Sequence, residues 1–236
     1  IQEGDNLCIC ISGGKDSMIM AKLFQELKRH NKFPFTIQFL CMDPGYNEYN
    51  RKIIEGNAKL LGIPLHFFES DIFESVFGIE SSPCYVCARM RRGHLYSKAK
   101  ELGCNKIALG HHFDDVIETT MINMLYAGTV KTMTPKVKST SGKLELIRPL
   151  IYVREADIIE YTKKNGIRAM NCGCTIEAGK TSSKRKEVKD LLAALEEKDP
   201  GIKQSIFNSM KNINLDYVFG YTHGNKKDSQ IEDDEN

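Results

Sequence analysis

The sequence lacks an apolar run long enough to span a bilayer, a visible signal peptide and an excess of charge of one sign. The first two absences argue against a membrane-spanning or secreted protein, so we expect a cytoplasmic one. Because the net charge is only +2 over 236 residues, affinity for nucleic acid would have to come from local basic patches. The first residue is Ile1 rather than Met, which leaves open a missing upstream segment or a removed targeting peptide.

Both common nucleotide-binding motifs, G-x-x-x-x-G-K-[ST] and G-x-G-x-x-G, are also absent. What is present instead is a second kind of glycine-rich segment, Ser12-Gly13-Gly14-Lys15-Asp16-Ser17, which we call the glycine loop. It follows an apolar run and precedes an amphipathic stretch. Glycines let the backbone approach an anion, and the start of the next helix adds unpaired N–H groups and the positive end of its dipole.

Each polar side chain of the glycine loop suits phosphate chemistry. Lys15 can neutralise phosphate charge, Asp16 can act through Mg²⁺, and Ser12 and Ser17 add hydroxyl donors. The alternative is a glycine-rich turn that binds nothing. We therefore predict that a phosphate group binds at this loop.

Short apolar runs alternate with longer amphipathic stretches along most of the chain. This β-α-β-α order predicts an α/β fold with a doubly wound, Rossmann-like parallel sheet, in which ligands bind beyond the carboxyl ends of the strands. The predicted strands are 7–11, 35–41, 65–68, 105–109 and 144–151, and the predicted helices are 17–30, 48–61, 88–102, 114–126 and 154–164.

The character of the chain changes after this region. Two further helices are predicted over 183–197 and 201–213, with Asp199-Pro200-Gly201 as the break between them. The last segment, KKDSQIEDDEN, is polar. We therefore predict one α/β domain over 1–180, a small helical extension packed on it over 181–224, and a disordered tail over 225–236.

A second polar motif, Gly110-His111-His112-Phe113-Asp114-Asp115, follows the predicted strand NKIAL and opens a helix. Two carboxylates at a helix start can simply cap it. Beside a phosphate-binding loop, we interpret Asp114 and Asp115 as ligands for Mg²⁺ and the bound phosphates. His112 has no role in this interpretation, and we expect it to be exposed.

The spacing of the eight cysteines is more informative than their number. Without a signal peptide, a disulfide scaffold is disfavoured. Cys8, Cys10, Cys41 and Cys104 lie in or beside apolar runs and are expected to be buried as small hydrophobic residues. The other four form C-x-x-C and C-x-C pairs, which could hold zinc with four thiolates, form a redox pair that carries a persulfide, or be unlinked structural cysteines; they are Cys84, Cys87, Cys172 and Cys174.

These motifs together resemble those of a known family. The glycine loop and the second motif resemble the N-type ATP pyrophosphatases, called PP-loop proteins, which cleave ATP between its α- and β-phosphates and adenylate a substrate oxygen. The segment PCYVCARMRRG over 83–93 resembles the TtcA family, the tRNA 2-thiocytidine synthetases. Cys172-Gly173-Cys174, residues 200–213 and the segment GYTHG over 220–224 extend the resemblance over nearly the whole chain, although the C-x-C is tighter than the family's wider cysteine pair.

The resemblance implies a function and a set of site residues. The chain would be an ATP- and Mg²⁺-dependent enzyme that adenylates C2 of a tRNA cytidine at position 32 and replaces its oxygen with sulfur by means of a [4Fe–4S] cluster. Lys15, Asp16 and Asp115 would handle the phosphates and the metal. ATP would also contact Ser12, Gly13, Gly14, Ser17, Gly110, His111 and Asp114. Cys84 and Cys87 would take part in catalysis as cluster ligands, with Cys174 or, alternatively, Cys172 as the third.

The implied partners are tRNA, a sulfur donor that is either free sulfide or a cysteine-desulfurase relay, and a second copy of the chain in a homodimer. Two other functions stay open. One is 2-thiolation of a tRNA uridine by a related PP-loop enzyme, and the other is a non-catalytic module that binds ATP or RNA.

Two basic runs flank the paired cysteines and predict a phosphate-binding rim for tRNA. The alternative for the second run is a solvated helix face balanced by Glu187 and Asp190. The polar stretch 128–143, with Lys131, Lys136 and Lys138, is predicted to be a mobile flap. The runs consist of Arg89, Arg91 and Arg92, and of Lys180, Lys184, Arg185, Lys186 and Lys189.

Overall fold

Strands and helices alternate along the chain in a computed structural model that describes residues 1–72, 75, 83–139, 142, 144–170, 184–223 and 226–229. The strands are β1 (Asn6–Ile11), β2 (Thr36–Asp43), β3 (Leu65–Glu69), β4 (Lys106–Ala108), β5 (Lys136–Lys138), β6 (Glu145–Ile147), β7 (Gly220–His223) and β8 (Lys226–Ser229). The α-helices are α1 (Lys15–Arg29), α2 (Glu48–Leu61), α3 (Pro83–Glu101), α4 (Phe113–Ala127), α5 (Glu155–Lys164), α6 (Lys184–Lys198) and α7 (Ile202–Ser209), and a short 3₁₀ helix spans Leu215–Tyr217.

The main sheet has six strands in the order β3-β2-β1-β4-β6-β5. All neighbouring strands are parallel except β5, which runs antiparallel to β6. The doubly wound α/β class predicted from the sequence is therefore confirmed, with a correction at one edge. The short strand β5 lies inside the polar stretch 128–143 that was predicted to be a flap, and its exposed lysines suit an edge strand.

The central strand β1 divides the core into two layers because its side chains alternate between the faces of the sheet. Leu7 and Ile9 pack with α1, α2 and α5 on one face. Cys8 and Cys10 pack on the other face with the end of α3 and with Ile107 of β4. The carboxyl end of β1 is thus fixed between two apolar layers, which holds the glycine loop at a defined edge of the sheet.

The four cysteines expected to be core residues are all buried, as predicted: Cys8, Cys10, Cys41 and Cys104. Cys41 illustrates the consequence, since burial raises the pKa of its thiol to about 12. Such a thiol stays protonated and unreactive at neutral pH.

Several element bounds differ from the prediction. Helix α3 begins at Pro83 rather than at residue 88, so it includes the C-x-x-C. Proline is favoured in the first turn of a helix, because an N–H group at that position would have no acceptor within the helix. Strand β6 ends at Ile147, and Pro149 and Leu150 lie in a turn. Helix α7 ends at Ser209 instead of residue 213.

Helices α6 and α7 pack on α4 through a separate apolar cluster. Phe113 and Ile117 of α4 contact Leu192 and Phe207, and the Phe113 and Phe207 rings lie 4.8 Å apart. Beyond these helices, β8 pairs with β7 and occupies 226–229 of the predicted tail; residues 230–236 lie outside the described part of the chain. Among the helices that the structure describes, none is both long and apolar enough to cross a bilayer.

Candidate functional site

The glycine loop lies at the carboxyl end of β1 and leads directly into α1. Gly13 has φ of 83°, and a Cβ atom there would lie 2.9 Å from the Ile54 side chain and 3.1 Å from Met170 Sδ. The N-terminus of α1 has no side-chain cap among the described residues, so its first N–H groups can bind an anion. Ser17, predicted to donate to phosphate, donates its hydroxyl to Gly14 O at 2.9 Å and accepts from Ser12 N at 3.1 Å.

The second motif touches the glycine loop through the backbone. A Cβ atom on Gly110 would lie 3.0 Å from Ser17 N and 3.1 Å from the carbonyl carbon of Asp16. Only glycine allows this approach. The two predicted nucleotide motifs, about 95 residues apart in the sequence, therefore form one continuous site at the edge where β1 and β4 end.

Two buried polar atoms in this site accept or donate no hydrogen bond among the described residues: Asp16 Oδ1 and His111 Nδ1. Lys15 Nζ lies 3.2 Å from Asp16 Oδ1 without satisfying it. Buried polar atoms without partners are rare in folded proteins and point to a missing ligand or ion. A carboxylate oxygen held this way suits Mg²⁺, which prefers hard oxygen ligands.

Lys15 forms its shortest ion pair with Glu155, a residue that the sequence analysis did not single out. Lys15 Nζ lies 2.9 Å from Glu155 Oε1, and Lys189 Nζ lies 2.8 Å from Glu155 Oε2. Burial alone would raise the pKa of Glu155, but the hydrogen bonds from Lys189 and Lys15 outweigh it and lower the pKa to about 2. Glu155 therefore stays ionised and links the glycine loop to helix α6.

His112 was expected to be exposed, and that prediction is wrong. Its side chain is buried and caps α4: Nδ1 accepts from Asp115 N at 3.3 Å, and Asp115 Oδ2 accepts from His112 N at 3.0 Å. Since Nδ1 accepts a hydrogen bond, the ring proton is on Nε2. That atom lies 3.7 Å from Asp16 Oδ1 and 4.0 Å from Glu155 Oε1. His112 thus sits among the acidic groups of the site.

The adjacent carboxylates of the second motif have protein partners. Asp114 Oδ2 accepts from Glu155 N at 2.8 Å, and Asp114 Oδ1 lies 3.2 Å from Lys203 Nζ. Asp115 caps α4, and its Oδ1 lies 3.1 Å from Arg185 Nη1. The capping role considered for these residues is therefore present at Asp115, and their role as metal ligands stays a prediction.

The second basic run faces the site. Arg185 pairs with Asp115 and, at 2.6 Å, with Glu118, while Lys189 pairs with Glu155. The alternative that Glu187 and Asp190 balance this face is thus wrong for Arg185 and Lys189. Lys184 stacks on the Tyr126 ring at 4.4 Å, and Lys180 lies outside the described residues.

Helix α3, which carries the C-x-x-C, is linked to the glycine loop through Tyr46. Arg91 Nη2 donates to Tyr46 Oη at 3.4 Å, and Tyr46 Oη donates to Ser12 O at 3.4 Å. The half-buried Cys87 packs beside Met42, at the carboxyl end of β2, and beside Ile72. Arg91 therefore points toward the nucleotide site, whereas Arg89 and Arg92 are exposed.

The other candidate cluster ligands cannot be placed. The Cys84 side chain and residues 171–183, which include Cys172 and Cys174, lie outside what the structure describes. Among the described side chains, no three His, Cys, Asp or Glu residues are grouped as metal ligands. The three-cysteine set therefore stays a prediction.

These features define a class of protein: an α/β nucleotide-binding domain whose phosphate site is a glycine loop of the PP-loop type. The family model described as a PP-loop domain matches residues 2–171. The U34-tRNA thiolase NcsA from Methanococcus maripaludis, solved with its [4Fe-4S] cluster, has the same fold, with a TM-score of 0.73 and 23% identity over 92% of this chain and 74% of that one.

Curated relatives narrow the class. The tRNA-cytidine(32) 2-sulfurtransferase of Pelobacter propionicus is 37% identical over 216 residues, which cover 90% of this chain and 80% of that protein. The protein of the same name from Syntrophotalea carbinolica is also 37% identical and covers 90% of this chain and 83% of its own length. The chain therefore belongs to the PP-loop proteins and, among them, to the TtcA family of tRNA-cytidine(32) 2-sulfurtransferases.

Replacing Glu155 with glutamine should lower the free energy of unfolding at pH 7 by about 2–3 kcal/mol, because two lysines lose their carboxylate partner. The folded-state pKa of about 2 is below the ordinary value of 4.5, so this stabilisation is complete well above pH 4.5 and is lost as the pH falls toward 2. Urea unfolding of both proteins at several pH values measures it. Glu160→Gln, at an exposed position of the same helix, is the control; equal losses in the two variants would contradict the prediction.

Proposed function

We propose that the protein activates C2 of a tRNA cytidine, at position 32, with ATP and Mg²⁺ and replaces the C2 oxygen with sulfur by means of a [4Fe–4S] cluster. The observation that carries the proposal is that helix α3, which carries the C-x-x-C, and Met170 are both linked to the glycine loop by hydrogen bonds. Helix α3 reaches Ser12 through Arg91 and Tyr46, and Met170 N donates to Gly13 O at 3.2 Å just before the C-x-C segment.

The nucleotide half of the reaction uses groups at the loop. Lys15 and the N-terminus of α1 bind the phosphates of ATP. The buried Asp16 Oδ1 is the best-fitting ligand for Mg²⁺, with Asp115 beside it through His112. The cytidine O2 attacks the α-phosphate, so pyrophosphate leaves and AMP becomes attached to that oxygen. The oxygen later departs with AMP when sulfur takes its place on C2.

The sulfur half of the reaction uses the thiols. Cys84 and Cys87 would hold the cluster together with Cys174 or, alternatively, Cys172 as the third thiolate. A cluster held by three cysteines provides one iron without a protein ligand, where sulfur chemistry can take place. Two contacts support a third ligand from the C-x-C. Met170, two residues before Cys172, donates its N–H to the glycine loop, and Arg185, eleven residues after Cys174, pairs with Asp115.

The sequence relatives favour cytidine over uridine. The related sulfurtransferases at 37% identity are named for cytidine 32, whereas the uridine thiolase shares the fold at 23% identity. A target base in an anticodon loop can be unstacked into the site at low cost. The sulfur comes from free sulfide or from a cysteine-desulfurase relay, and the active form is a homodimer.

Nucleoside mass spectrometry on tRNA tests the proposal. Deleting the gene should remove 2-thiocytidine from bulk tRNA, and a plasmid copy should restore it. Anaerobically purified protein should contain iron and sulfide and should release pyrophosphate only with ATP and tRNA together. Loss of a thiolated uridine in place of 2-thiocytidine would establish the other thiolase activity, and unchanged tRNA or a colourless zinc protein would refute the proposal.

A further inference from the structure

Arg148 is a half-buried cation without an anionic partner. It follows β6 directly, and its Nη1 donates to Thr134 O at 2.6 Å. Its Nε is buried and has no hydrogen-bond partner among the described residues. No carboxylate in the described part of the chain pairs with it or offsets its charge. An uncompensated guanidinium in a partly buried position is destabilising, so the position is expected to have a ligand.

The surroundings of Arg148 add positive charge instead of removing it. Burial lowers the pKa of Arg148, and the nearby Arg92 lowers it further, with Tyr96 acting in the opposite direction. Arg92 belongs to α3, five residues after Cys87. Two arginines that lie close together repel each other, and a bound anion would offset that repulsion.

A second unpartnered atom lies beside Arg148. Strands β4 and β6 are neighbours, and Leu109 N donates to Ile147 O at 3.0 Å, so the loop carrying His111 leaves the sheet next to Arg148. His111 Nδ1 is buried and has no partner among the described residues. Two buried nitrogens without partners thus stand at the carboxyl ends of adjacent parallel strands, where α/β proteins bind their ligands.

We propose that Arg148, Arg92 and His111 form a second phosphate-binding site, next to the glycine loop, and that its ligand is a phosphate of the RNA backbone near the target nucleotide. Guanidinium groups match phosphate geometry, and Thr134 accepts from Nη1 of Arg148 while Nε keeps no hydrogen-bond partner among the described residues. The site lies two strands from β1, about 10 Å from the strand that carries the glycine loop. This inference rests on the proposed function in one respect only, which is that the RNA is a tRNA.

The same chemistry could come from a phosphate of ATP, and binding measurements separate the two sources. In the RNA case, Arg148→Met should weaken binding of an unmodified tRNA transcript about tenfold and reduce the slope of log K against log salt by about 0.7 to 0.9, as loss of one phosphate contact does. Affinity for ATP should not change. In the ATP case, affinity for ATP falls and the salt dependence of tRNA binding stays the same. Either result supports a phosphate site and names its source.

A stability measurement separates ligand binding from a structural role. Because the charge of Arg148 has no partner, Arg148→Met should leave the melting temperature of the ligand-free protein unchanged or raise it, whereas loss of a structural arginine would lower it. Arg148→Lys should recover part of the affinity, since it keeps the charge but loses the planar fork. The control is Arg29→Met, which removes one exposed positive charge at the far end of α1.

Two outcomes would overturn the inference: unchanged affinity of Arg148→Met for both tRNA and ATP, or a lowered melting temperature together with unchanged binding. Because the assay measures binding by the intact holoprotein, it does not depend on thiolation. If tRNA binds through Arg148 but gains no 2-thiocytidine, the phosphate site stands and the proposed function fails. If Arg148→Met binds tRNA and ATP like the wild type and tRNA still gains 2-thiocytidine, the phosphate site is refuted and the proposed function stands.

Discussion

Cys87→Ser should abolish thiolation of tRNA while ATP binding stays within about twofold of the wild type. A serine hydroxyl remains protonated at neutral pH and is a poor ligand for iron, so the cluster should not assemble. We expect at least a 100-fold loss of 2-thiocytidine formation, since even changes to residues that only support a metal ligand cost about 10- to 100-fold. Serine is close to cysteine in size, so the packing of α3 beside Met42 and Ile72 should survive.

The measurements are the iron and sulfide content of anaerobically purified protein, thiolated nucleoside per enzyme, and ATP affinity. Cys104→Ala is the matched control, because Cys104 lies in the core away from the C-x-x-C and should keep both cluster and activity. A Cys87→Ser protein that still thiolates tRNA would show that Cys87 is not a required ligand. Loss of ATP binding as well would instead indicate a folding defect.

Asp16→Asn should reduce pyrophosphate release about 100- to 1000-fold, because stabilisation of phosphate charge by a metal ion is worth several kcal/mol. Asparagine has nearly the same shape as aspartate but no charge. It therefore removes the buried carboxylate oxygen that has no hydrogen-bond donor and the ion pair with Lys15 at 3.2 Å. The fold should persist, since no described backbone group depends on the Asp16 side chain.

Steady-state pyrophosphate release at increasing Mg²⁺ concentrations is the measurement. The variant should need far more Mg²⁺, and its affinity for tRNA should match the wild type. Asp157→Asn changes an exposed acid in the first turn of α5 and is the control. If Asp16→Asn instead showed the Mg²⁺ dependence of the wild type, Asp16 would not be a ligand of Mg²⁺, and the carboxylates of the second motif would be the candidates.

The parts of the fold that the sequence predicted well have strong local signals. The apolar run of β1, the glycine loop and the amphipathic α1 follow one another without interruption, so their order and roles were predictable. Strand β5 has only three residues, all in a polar stretch, and pairs antiparallel with β6 at an exposed edge. No periodicity marks such a strand, because long-range pairing alone creates it.

The parts of the site that the sequence missed depend on contacts between distant residues. Glu155 is 140 residues from Lys15, and nothing in its neighbourhood distinguishes it from other first-turn acids. His112 could have been identified from its position, since a histidine three residues before Asp115 at a helix start can form a capping box. The partners of Arg185 could not have been identified from the sequence, because the simplest expectation for its charge was an ion pair within α6.

Gly110 has a consequence for which parts of the site can move. Its backbone is so near that of Ser17 that the glycine loop and the second motif have no room to slide past each other. They must move as one rigid body, since closely packed backbones do not deform gradually. Any rearrangement at this site is therefore confined to segments that are joined to this body by side chains, such as α3 through Arg91 and α6 through Arg185.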